Sequence, residues 1–456
     1  MRFGRRDIKE EFIFHGRPVV GWSSELLQNT LLRTMERLVV EKGDPLIRRW
    51  SKNAHFLECG NAREIGAKAV GLSLSGTRAG AMVRGRETAA LTEDLRLASR
   101  LHLPLTLIQS FGVAHSKGRP LRAALDETNP SGAFQLFAGN VQEALDFILV
   151  AVRVSERALV PGVCGQDAIR TAFDVASVLS HENELVDVFL GRSNELFEAP
   201  TPAQKMILGE KRRRVPSMLD PARPVGLNPH YSPDFERLLE PGDAAYYGSH
   251  VSSVMAETFD DLGALTGRFY EPLDMYRTED ADYIIVSVGA AGESVKSVID
   301  FTRQSSRLRI GAVRMRVVSP LPEKALSQVL AGKRAVTVLD NGNLPDGALT
   351  NAIRRALGSE APRIHTFNFV GTDVPSTGDW LAAIGNMTSH PSEDTSFFVI
   401  PEENEDRSRV PALERMDQLL KRDYPDPPWL TSLDGGAQTP AIAHPIRLFG
   451  TRPDVV

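Results

Sequence analysis

Short apolar runs alternate with amphipathic stretches along most of the chain. Gly80–Val83 and Leu105–Ile108 have the length and composition of buried strands. From Val141 to Glu156 the apolar side chains recur at the spacing of one helical face, and Asn140 lies three residues before Glu143, as in a capping box. This alternation predicts an α/β protein whose sheets are largely parallel.

The alternation starts again at Asp282 and predicts a second α/β unit. Its expected elements are strand Tyr283–Val288, a helix that ends near Thr302, strands Ile310–Val317 and Val336–Leu339, and a helix from Gly347 to Leu357. Gly289 and Gly292 lie where the first of these helices begins and could cradle a phosphate. Because the sequence has no GxGxxG or P-loop pattern there, we favour a tight turn between strand and helix.

Changes in residue composition and hydrophobic periodicity divide the chain into four parts. Residues 1–199 and 282–388 carry the two α/β units. Residues 200–281 are expected to form an ordered connector, because their first half is rich in proline and has little periodicity. Residues 389–456 are polar, acidic and contain proline, which is typical of an extension that wraps a partner or stays partly disordered.

Composition narrows the class of protein. The chain has 456 residues, of which 42% are hydrophobic and 24% are charged, as in a globular protein of several domains. Its net charge of −5 argues against a broad nucleic-acid-binding field, so we interpret the basic run Lys211–Arg214 as a solvated or interface patch. No apolar run is long enough to span a membrane, and no secretory signal is visible. We therefore expect a cytoplasmic protein without a membrane or nucleic-acid partner.

The sequence has two cysteines, Cys59 and Cys164. It has no CxxC pattern and no Cys/His cluster, so the chain by itself cannot ligate a four-cysteine iron–sulfur cluster or a zinc finger. We predict no metal site in this chain. Any electron-transfer centre must come from another subunit.

Glu64 is the candidate catalytic residue. It lies in Phe56–Ala67, where a short apolar strand is predicted to turn into a helix of small residues. A carboxyl group at such a turn can face a cleft between subunits, with its pKa set by burial. The alternative is a structural charge in the first turn of a helix, favoured by the helix dipole.

Four stretches carry a resemblance to a known family. Arg63–Ala67 is similar to an S-E-A-G-A motif, and Pro224–Pro229 is similar to a proline-rich crossing that ends in N-P. In another stretch, Ala138–Ala144 looks like the family's S-V-Q-E helix and Asp167–Thr171 looks like its D-G-F-R-T turn. The fourth stretch looks like part of the family's second domain and consists of Gly311–Arg316, Ser319–Pro322 and Val338–Asp340. Together, and in this order, they resemble the α subunit of the thiamine-diphosphate-dependent 2-oxoacid:ferredoxin oxidoreductases, the pyruvate and 2-oxoglutarate synthase family.

The resemblance implies a pyrimidine-binding thiamine domain at residues 1–199, followed by a transketolase C-terminal-like domain. It implies that Glu64 activates thiamine diphosphate and that Val20 and Gly21, which correspond to part of the family's Y-P-I-T-P-S-S loop, also bind the cofactor. It further implies a β subunit that holds the diphosphate, Mg²⁺ and an iron–sulfur cluster. The complex is then expected to be a heterodimer or heterotetramer that reduces a ferredoxin-like acceptor.

The substrate half of the predicted site departs from the family. The family carries an arginine after the strand that corresponds to Leu103–Gln109, and this chain has none there. One hypothesis is that other residues bind the substrate anion, namely Arg84, Arg86, His115 or Lys117. A second is a bulky or aromatic 2-oxo acid in a pocket lined by Phe111 and Trp22. A third leaves the two arginines to a partner subunit or to solvent.

The leading functional hypothesis is a subunit of a thiamine-dependent oxidoreductase. The enzyme would oxidatively decarboxylate a 2-oxo acid and pass electrons to an iron–sulfur acceptor through the partner subunit. One alternative is a non-redox thiamine-dependent lyase or transketolase-like half, which a partner without cluster cysteines would indicate. Another alternative is a structural subunit without catalytic activity.

Overall fold

The computed structural model describes most of the chain between residues 14 and 399. The described ranges are 14–42, 55–84, 90–111, 131–172, 174–219, 242–340, 347–358, 361–370, 374–389 and 395–399. Within these ranges, no helix combines the length and the apolar character that crossing a membrane requires. The predictions made for Arg86, His115, Lys117 and Pro224–Pro229 fall outside them.

Strands and helices alternate through the first half of the described chain. In order they are β1 (Arg17–Trp22), α1 (Ser23–Thr34), β2 (Arg37–Glu41), β3 (Phe56–Cys59), α2 (Ala62–Leu74), β4 (Ala79–Arg84), α3 (Thr92–Arg100), β5 (Thr106–Phe111), β6 (Phe134–Ala138), α4 (Val141–Ala158), β7 (Gly162–Asp167), β8 (Val175–Ser180), α5 (Asn183–Leu190), β9 (Leu196–Glu198), α6 (Pro202–Leu208), β10 (Lys211–Arg213) and α7 (Val251–Thr266). A π-helical turn, Ala168–Ala172, follows β7 directly.

The second half repeats the alternation. Its elements are β11 (Leu273–Tyr276), β12 (Tyr283–Val288), α8 (Ala291–Ser306), β13 (Ile310–Met315), β14 (Val317–Ser319), α9 (Glu323–Leu330), β15 (Ala335–Asp340), α10 (Ala348–Leu357), β16 (Arg363–Val370), α11 (Thr377–Ser389) and β17 (Thr395–Val399). The strand predicted at Tyr283–Val288 is confirmed to the residue. The largely parallel α/β architecture is also confirmed.

Seven strands form the first sheet, in the order β14–β6–β7–β5–β4–β2–β3. All neighbours from β6 to β3 pair in parallel, so their carboxyl ends meet at one edge of the sheet. Helices α2 and α3 cover one face over a cluster that includes Val39, Ile65 and Leu95. The other face packs against α4, as expected when helices cross over between parallel strands.

Helix α4 is the centre of the first unit. The side chain of its N-cap residue, Asn140, accepts a hydrogen bond from the N–H of Glu143. The helix therefore starts at Val141, where the sequence predicted it. The helix lies between the sheet on one side and α1 and α7 on the other, and its residues Ile148 and Leu149 are fully buried. A helix enclosed in this way fixes the relative positions of the elements around it.

Six strands form the second sheet, in the order β11–β13–β12–β15–β16–β17. All neighbours pair in parallel except β11, which lies antiparallel at the edge beside β13. Apolar clusters cover both faces of this sheet, one under α8 and α11 and the other under α9 and α10.

Four elements cross the boundaries expected from the sequence, and the domain bounds themselves stay a prediction. Strand β14 pairs antiparallel with β6 and so joins the first sheet, with Val317 opposite Leu136. The expected connector contains α7, which packs against α4, and β11. The expected tail contains β17, which adds a strand beside β16.

Within the basic run, the interpretation as a solvated patch was wrong for Arg212. Its guanidinium is buried, donates to the carbonyl of Glu156 at 2.6 Å and donates to the side chain of Gln204 at 2.8 Å. Gln204 in turn donates to the carbonyl of Arg157. These donors satisfy carbonyls that the last turn of α4 leaves without intrahelical partners. Lys211 remains exposed.

Candidate functional site

Three of the residues predicted for the site, Glu64, Arg84 and Phe111, end or follow parallel strands at the carboxyl edge of the first sheet. Arg84 ends β4 and pairs with Ser110 of β5, and Phe111 ends β5 and pairs with Asp167 of β7. Glu64 comes five residues after the end of β3. The backbone therefore brings these positions to one edge, although the side chains of Arg84 and Phe111 are outside what the structure describes.

Glu64 lies in the first turn of α2 and is held by a local set of hydrogen bonds. The Asn61 side chain accepts from the Glu64 N–H at 3.1 Å. In return, the Glu64 carboxylate accepts from the N–H of Gly60 at 2.9 Å and from the Asn61 amide at 3.2 Å. This is a reciprocal cap, and the side chain is exposed. In this chain alone, Glu64 therefore has the structural role that the sequence left open, and it also faces outward where a partner could cover it.

Val20 and Gly21 lie on a two-stranded ribbon that leads into α1. Strand β1 pairs antiparallel with β8, so that Val20 faces Ser177 and Trp22 faces Val175. The ribbon is joined to the start of α1 by a hydrogen bond from the Ser23 N–H to the carbonyl of Asp174. Val20 is 72% exposed and Trp22 is 47% exposed, an apolar surface that is open in the single chain.

A pocket of about 660 Å³ opens at the same edge, between the first unit and α8 of the second. Its walls include the start of α4, the π-helical turn, β8 and the start of α8, through Asn140, Gln142, Arg170, Ser177, Ala290 and Glu293. Ser177 pairs with Val20, so the ribbon that carries Val20 and Gly21 forms the far side of one wall. Glu64 does not line the pocket. Four strand spacings separate β7 from β3, which corresponds to about 19 Å.

A buried network of charges joins the walls of this pocket. Arg314 on β13 forms an ion pair with Glu143 of α4 at 2.5 Å and also contacts Asp274 of β11 and Glu293 of α8. Burial alone would raise the pKa of Glu143, but the hydrogen bonds and charge of Arg314, with Arg316, outweigh it and lower that pKa. Glu143 therefore stays ionised and ties α4 to the second unit.

Close approaches explain the glycines at this junction. Gly289 has φ +72°, and a Cβ there would lie 2.7 Å from the Asp167 carboxylate, which accepts the Ala290 N–H. A Cβ on Gly292 would lie 2.4 Å from the Arg314 side chain. The structure has a tight turn here, as the sequence favoured. The space beside both glycines is occupied by side chains of the protein and is not left open for a phosphate.

Sequence reasoning missed Glu41, Asp167 and Arg170 as residues of the carboxyl edge. Asp167 and Arg170 both lie in the stretch that resembles D-G-F-R-T, and that resemblance was the available signal. Glu41 is the polar end of the apolar run Arg37–Glu41 and closes β2 between β3 and β4. A polar residue that ends a buried parallel strand is a signal that could have found it.

Two family models match the chain in tandem and together cover more than half of it. Residues 52–235 match "Pyruvate flavodoxin/ferredoxin oxidoreductase, thiamine diP-bdg", and residues 281–378 match "Pyruvate:ferredoxin oxidoreductase core domain II". The fold is thus that of a thiamine-diphosphate-binding α/β protein. The chain belongs to the family of the thiamine-dependent 2-oxoacid:ferredoxin oxidoreductases, and the resemblance seen in the sequence is confirmed.

The chain is also similar in sequence to subunits of two named enzymes. The chain is 26% identical over 334 residues to pyruvate synthase subunit PorA of Pyrococcus furiosus, covering 70% of this chain and 77% of that one. It is 23% identical over 325 residues to the α subunit of the NADH-dependent phenylglyoxylate dehydrogenase of Aromatoleum evansii, covering 67% and 73%.

The fold is also similar to that of a solved 2-oxoglutarate:ferredoxin oxidoreductase from Magnetococcus marinus, with a TM-score of 0.58 and 15% identity. The match covers 81% of this chain and 65% of that chain, so this chain spans just under two thirds of the solved one. At this identity the likeness concerns the fold alone.

Proposed function

We propose that this chain is the α-type subunit of an enzyme that oxidatively decarboxylates a 2-oxo acid, and that it holds the pyrimidine end of thiamine diphosphate. The observation that carries the proposal is the tandem order of the two family domains, with Glu64 inside the thiamine domain at the carboxyl edge of its sheet. The relatives named above are subunits of such enzymes.

The residues of this chain fit the pyrimidine end of the cofactor. When bound, thiamine supplies an electron sink for the carbon skeleton of the substrate. Glu64 would exchange its cap bond from Gly60 for a hydrogen bond to the aminopyrimidine ring, and the Asn61 amide would keep the carboxylate in place. Val20 and Gly21, on the ribbon beside the pocket, would contact the cofactor at a distance from Glu64. Coverage of this exposed edge by a partner would exclude water from the carboxylate.

The diphosphate, its Mg²⁺ and the iron–sulfur cluster are assigned to a partner β subunit. Among the described residues, no group of three or more His, Cys, Asp or Glu side chains is placed to hold a metal ion. Cys59 and Cys164 are both buried, and burial raises the pKa of Cys164 to about 12, which disfavours the thiolate that a cluster needs. We propose a heterodimer or heterotetramer that passes electrons to a ferredoxin-like acceptor.

The substrate-binding residues remain proposals. Arg84 ends β4 and Arg86 comes two residues later in the sequence, while Phe111 ends β5 and His115 and Lys117 come after it in the sequence. Because β4 and β5 are neighbours, the described strand ends Arg84 and Phe111 lie side by side at the centre of the carboxyl edge. Of the substrate hypotheses, the exposed Trp22 favours an aromatic 2-oxo acid. One relative is named as a phenylglyoxylate dehydrogenase, and phenylglyoxylate is such a compound.

The proposal is tested on the complex purified with its native partner. Glu64→Gln keeps the size of the side chain and one acceptor oxygen for the cap but removes the ionisable carboxyl group. We expect 2-oxo acid oxidation to fall by about 100-fold or more, within the range usual for a lost general acid–base group. Glu58→Gln, an exposed carboxylate on the neighbouring strand, is the control and should leave the rate unchanged. Full activity of the Glu64→Gln complex would remove Glu64 from the mechanism.

A further inference from the structure

Glu41 differs from the other glutamates near it in one respect. It is the last residue of β2, its Cα is paired with Cys59 at the end of β3, and the residue is partly buried. Its Oε2 atom is shielded from solvent and has no hydrogen-bond partner in the part of the chain that the structure describes. A shielded carboxylate oxygen without a donor is costly to keep.

Two other glutamates show what a satisfied carboxylate looks like in this region. Glu36, just before the opposite end of β2, accepts from the Ser193 hydroxyl and from the Arg78 N–H at 2.9 Å. Glu64 has donors on both of its oxygens. Of these three carboxylates, the one at the end of β2 is the one with a shielded oxygen, Oε2, that lacks a donor.

Glu41 also lies on the face of the sheet that carries α2. Val39, two residues earlier on β2, belongs to the apolar cluster under α2 and α3, and side chains two apart on a strand share a face. Because β2 and β3 are neighbours, Glu41 and the first turn of α2 occupy the same corner of the carboxyl edge. Glu41 ends β2, and Glu64 lies in the helix that follows the neighbouring strand β3, so both carboxylates belong to this corner.

We propose that Glu41 is a second cofactor-binding carboxylate, whose open oxygen accepts a hydrogen bond from the amino group of the bound aminopyrimidine. This inference rests on the proposed function and adds to it. Glu64 acts on the ring nitrogen, and Glu41 holds the amino group. The chemistry is recognition of a neutral heterocyclic N–H donor by a carboxylate, which is a strong hydrogen bond in a shielded site.

The test uses the complex with its partner subunit, prepared free of thiamine diphosphate. Glu41→Met removes both oxygens and fills similar space, while Glu41→Gln keeps a neutral acceptor. Because the free oxygen lacks a donor, we expect Glu41→Met to raise the unfolding temperature of the cofactor-free complex. The same variant should weaken thiamine diphosphate binding, measured by calorimetry, by about tenfold, and Glu41→Gln should recover part of that loss.

Glu58→Gln again serves as the matched control, with binding and unfolding unchanged. Exchange of the thiazolium proton with deuterium, followed by NMR on the bound cofactor, should persist in Glu41→Met and be lost in Glu64→Gln. Unchanged binding together with a lower unfolding temperature would show that Glu41 is purely structural. Weaker association of the subunits with unchanged cofactor affinity would assign its oxygen to the partner interface instead.

The failure of this inference differs from failure of the proposed function. If the unmodified complex does not bind thiamine diphosphate, the proposed function fails and takes the role of Glu41 with it. If the unmodified complex binds the cofactor and Glu41→Met binds it equally well, the role of Glu41 alone is overturned.

Discussion

Arg314 and Glu143 lie 171 residues apart in the sequence and form a two-point ion pair, with nitrogen–oxygen distances of 2.5 and 2.8 Å. Both side chains are almost completely buried. Arg314 also contacts Asp274 and Glu293, and Lys296 balances the charge of these two carboxylates. The pair thus joins the central helix of the first unit to three elements of the second.

Removal of the arginine should be strongly destabilising. Arg314→Met leaves the buried Glu143 without its main partner, and breaking a buried pair in this way costs about 3–5 kcal/mol. We expect the free energy of unfolding in urea to fall by that amount. The matched control is Arg309→Met, which removes a guanidinium paired with Asp282 on the surface and should cost less than about 1 kcal/mol. Equal losses in the two variants would contradict the role assigned to the buried network.

Asp146 should make the stability depend on acid pH. Burial alone would raise its pKa, but hydrogen bonds from His181 and Arg268 outweigh it and hold the pKa at about 2, against an ordinary value of 3.8. A carboxylate with a depressed folded pKa stabilises the fold above its unfolded pKa and loses that contribution as the pH falls through its folded pKa. The contribution is about 2 kcal/mol and should disappear between about pH 4 and pH 2.

The measurement is urea unfolding of the wild-type chain and of Asp146→Asn at a series of pH values from 7 down to about 2. We expect a large difference in the free energy of unfolding at pH 7 that shrinks as the pH approaches 2. A difference that stays constant with pH would mean that Asp146 is not held ionised by its partners.

Two glycines of α2 should respond in opposite directions to alanine. A Cβ on Gly66 would lie 2.0 Å from the Asp94 carboxylate of α3, whereas a Cβ on Gly71 meets nothing within 4 Å. We expect Gly66→Ala to lower the free energy of unfolding by about 1–3 kcal/mol through overpacking. Gly71→Ala should raise it by about 0.5–1 kcal/mol, because alanine favours the helix interior. Stabilisation by both substitutions would show that α2 and α3 are not closely packed at Gly66.

Arg212 should matter to stability although it belongs to a run of four basic residues. Arg212→Met would remove the donor to the Glu156 carbonyl at the end of α4 and the donor to the Gln204 side chain of α6. Buried acceptors left unpaired cost about 1–3 kcal/mol each. Lys211→Met, at the exposed neighbour, should change the free energy of unfolding by less than about 0.5 kcal/mol. Chemical denaturation followed by circular dichroism separates the two, and an Arg212→Met variant as stable as Lys211→Met would return the whole run to the surface.

Elements with strong local signals could be predicted from the sequence. α4 starts at its predicted cap because Asn140 and the apolar period after it agree. β12 is an apolar run, broken by Ser287 alone, between a charged residue and a glycine. The order of the family motifs indicated the thiamine domain, and the local pattern placed Glu64 where a strand turns into a helix. These features depend on residues close together in the chain.

Features that depend on distant residues could not be predicted in the same way. Arg212 looks solvated in a basic run, and its burial depends on carbonyls at the end of a helix more than fifty residues earlier. The pocket depends on the approach of α8 to α4, which no local pattern reports. The state of Glu41 depends on which donors the folded chain leaves near it, and the sequence shows the carboxylate without showing its surroundings.

Strand β14 has a consequence for how the chain can be divided. It contributes the outermost strand of the first sheet but is reached only after β11, β12 and β13 of the second unit have been built. A fragment that stops before residue 282 would lack this strand and expose the open side of β6, whose backbone groups could then pair with another molecule. The two halves are therefore interlocked along the chain, and a cut between the sequence-defined domains would yield an incomplete, aggregation-prone first half rather than an independent domain.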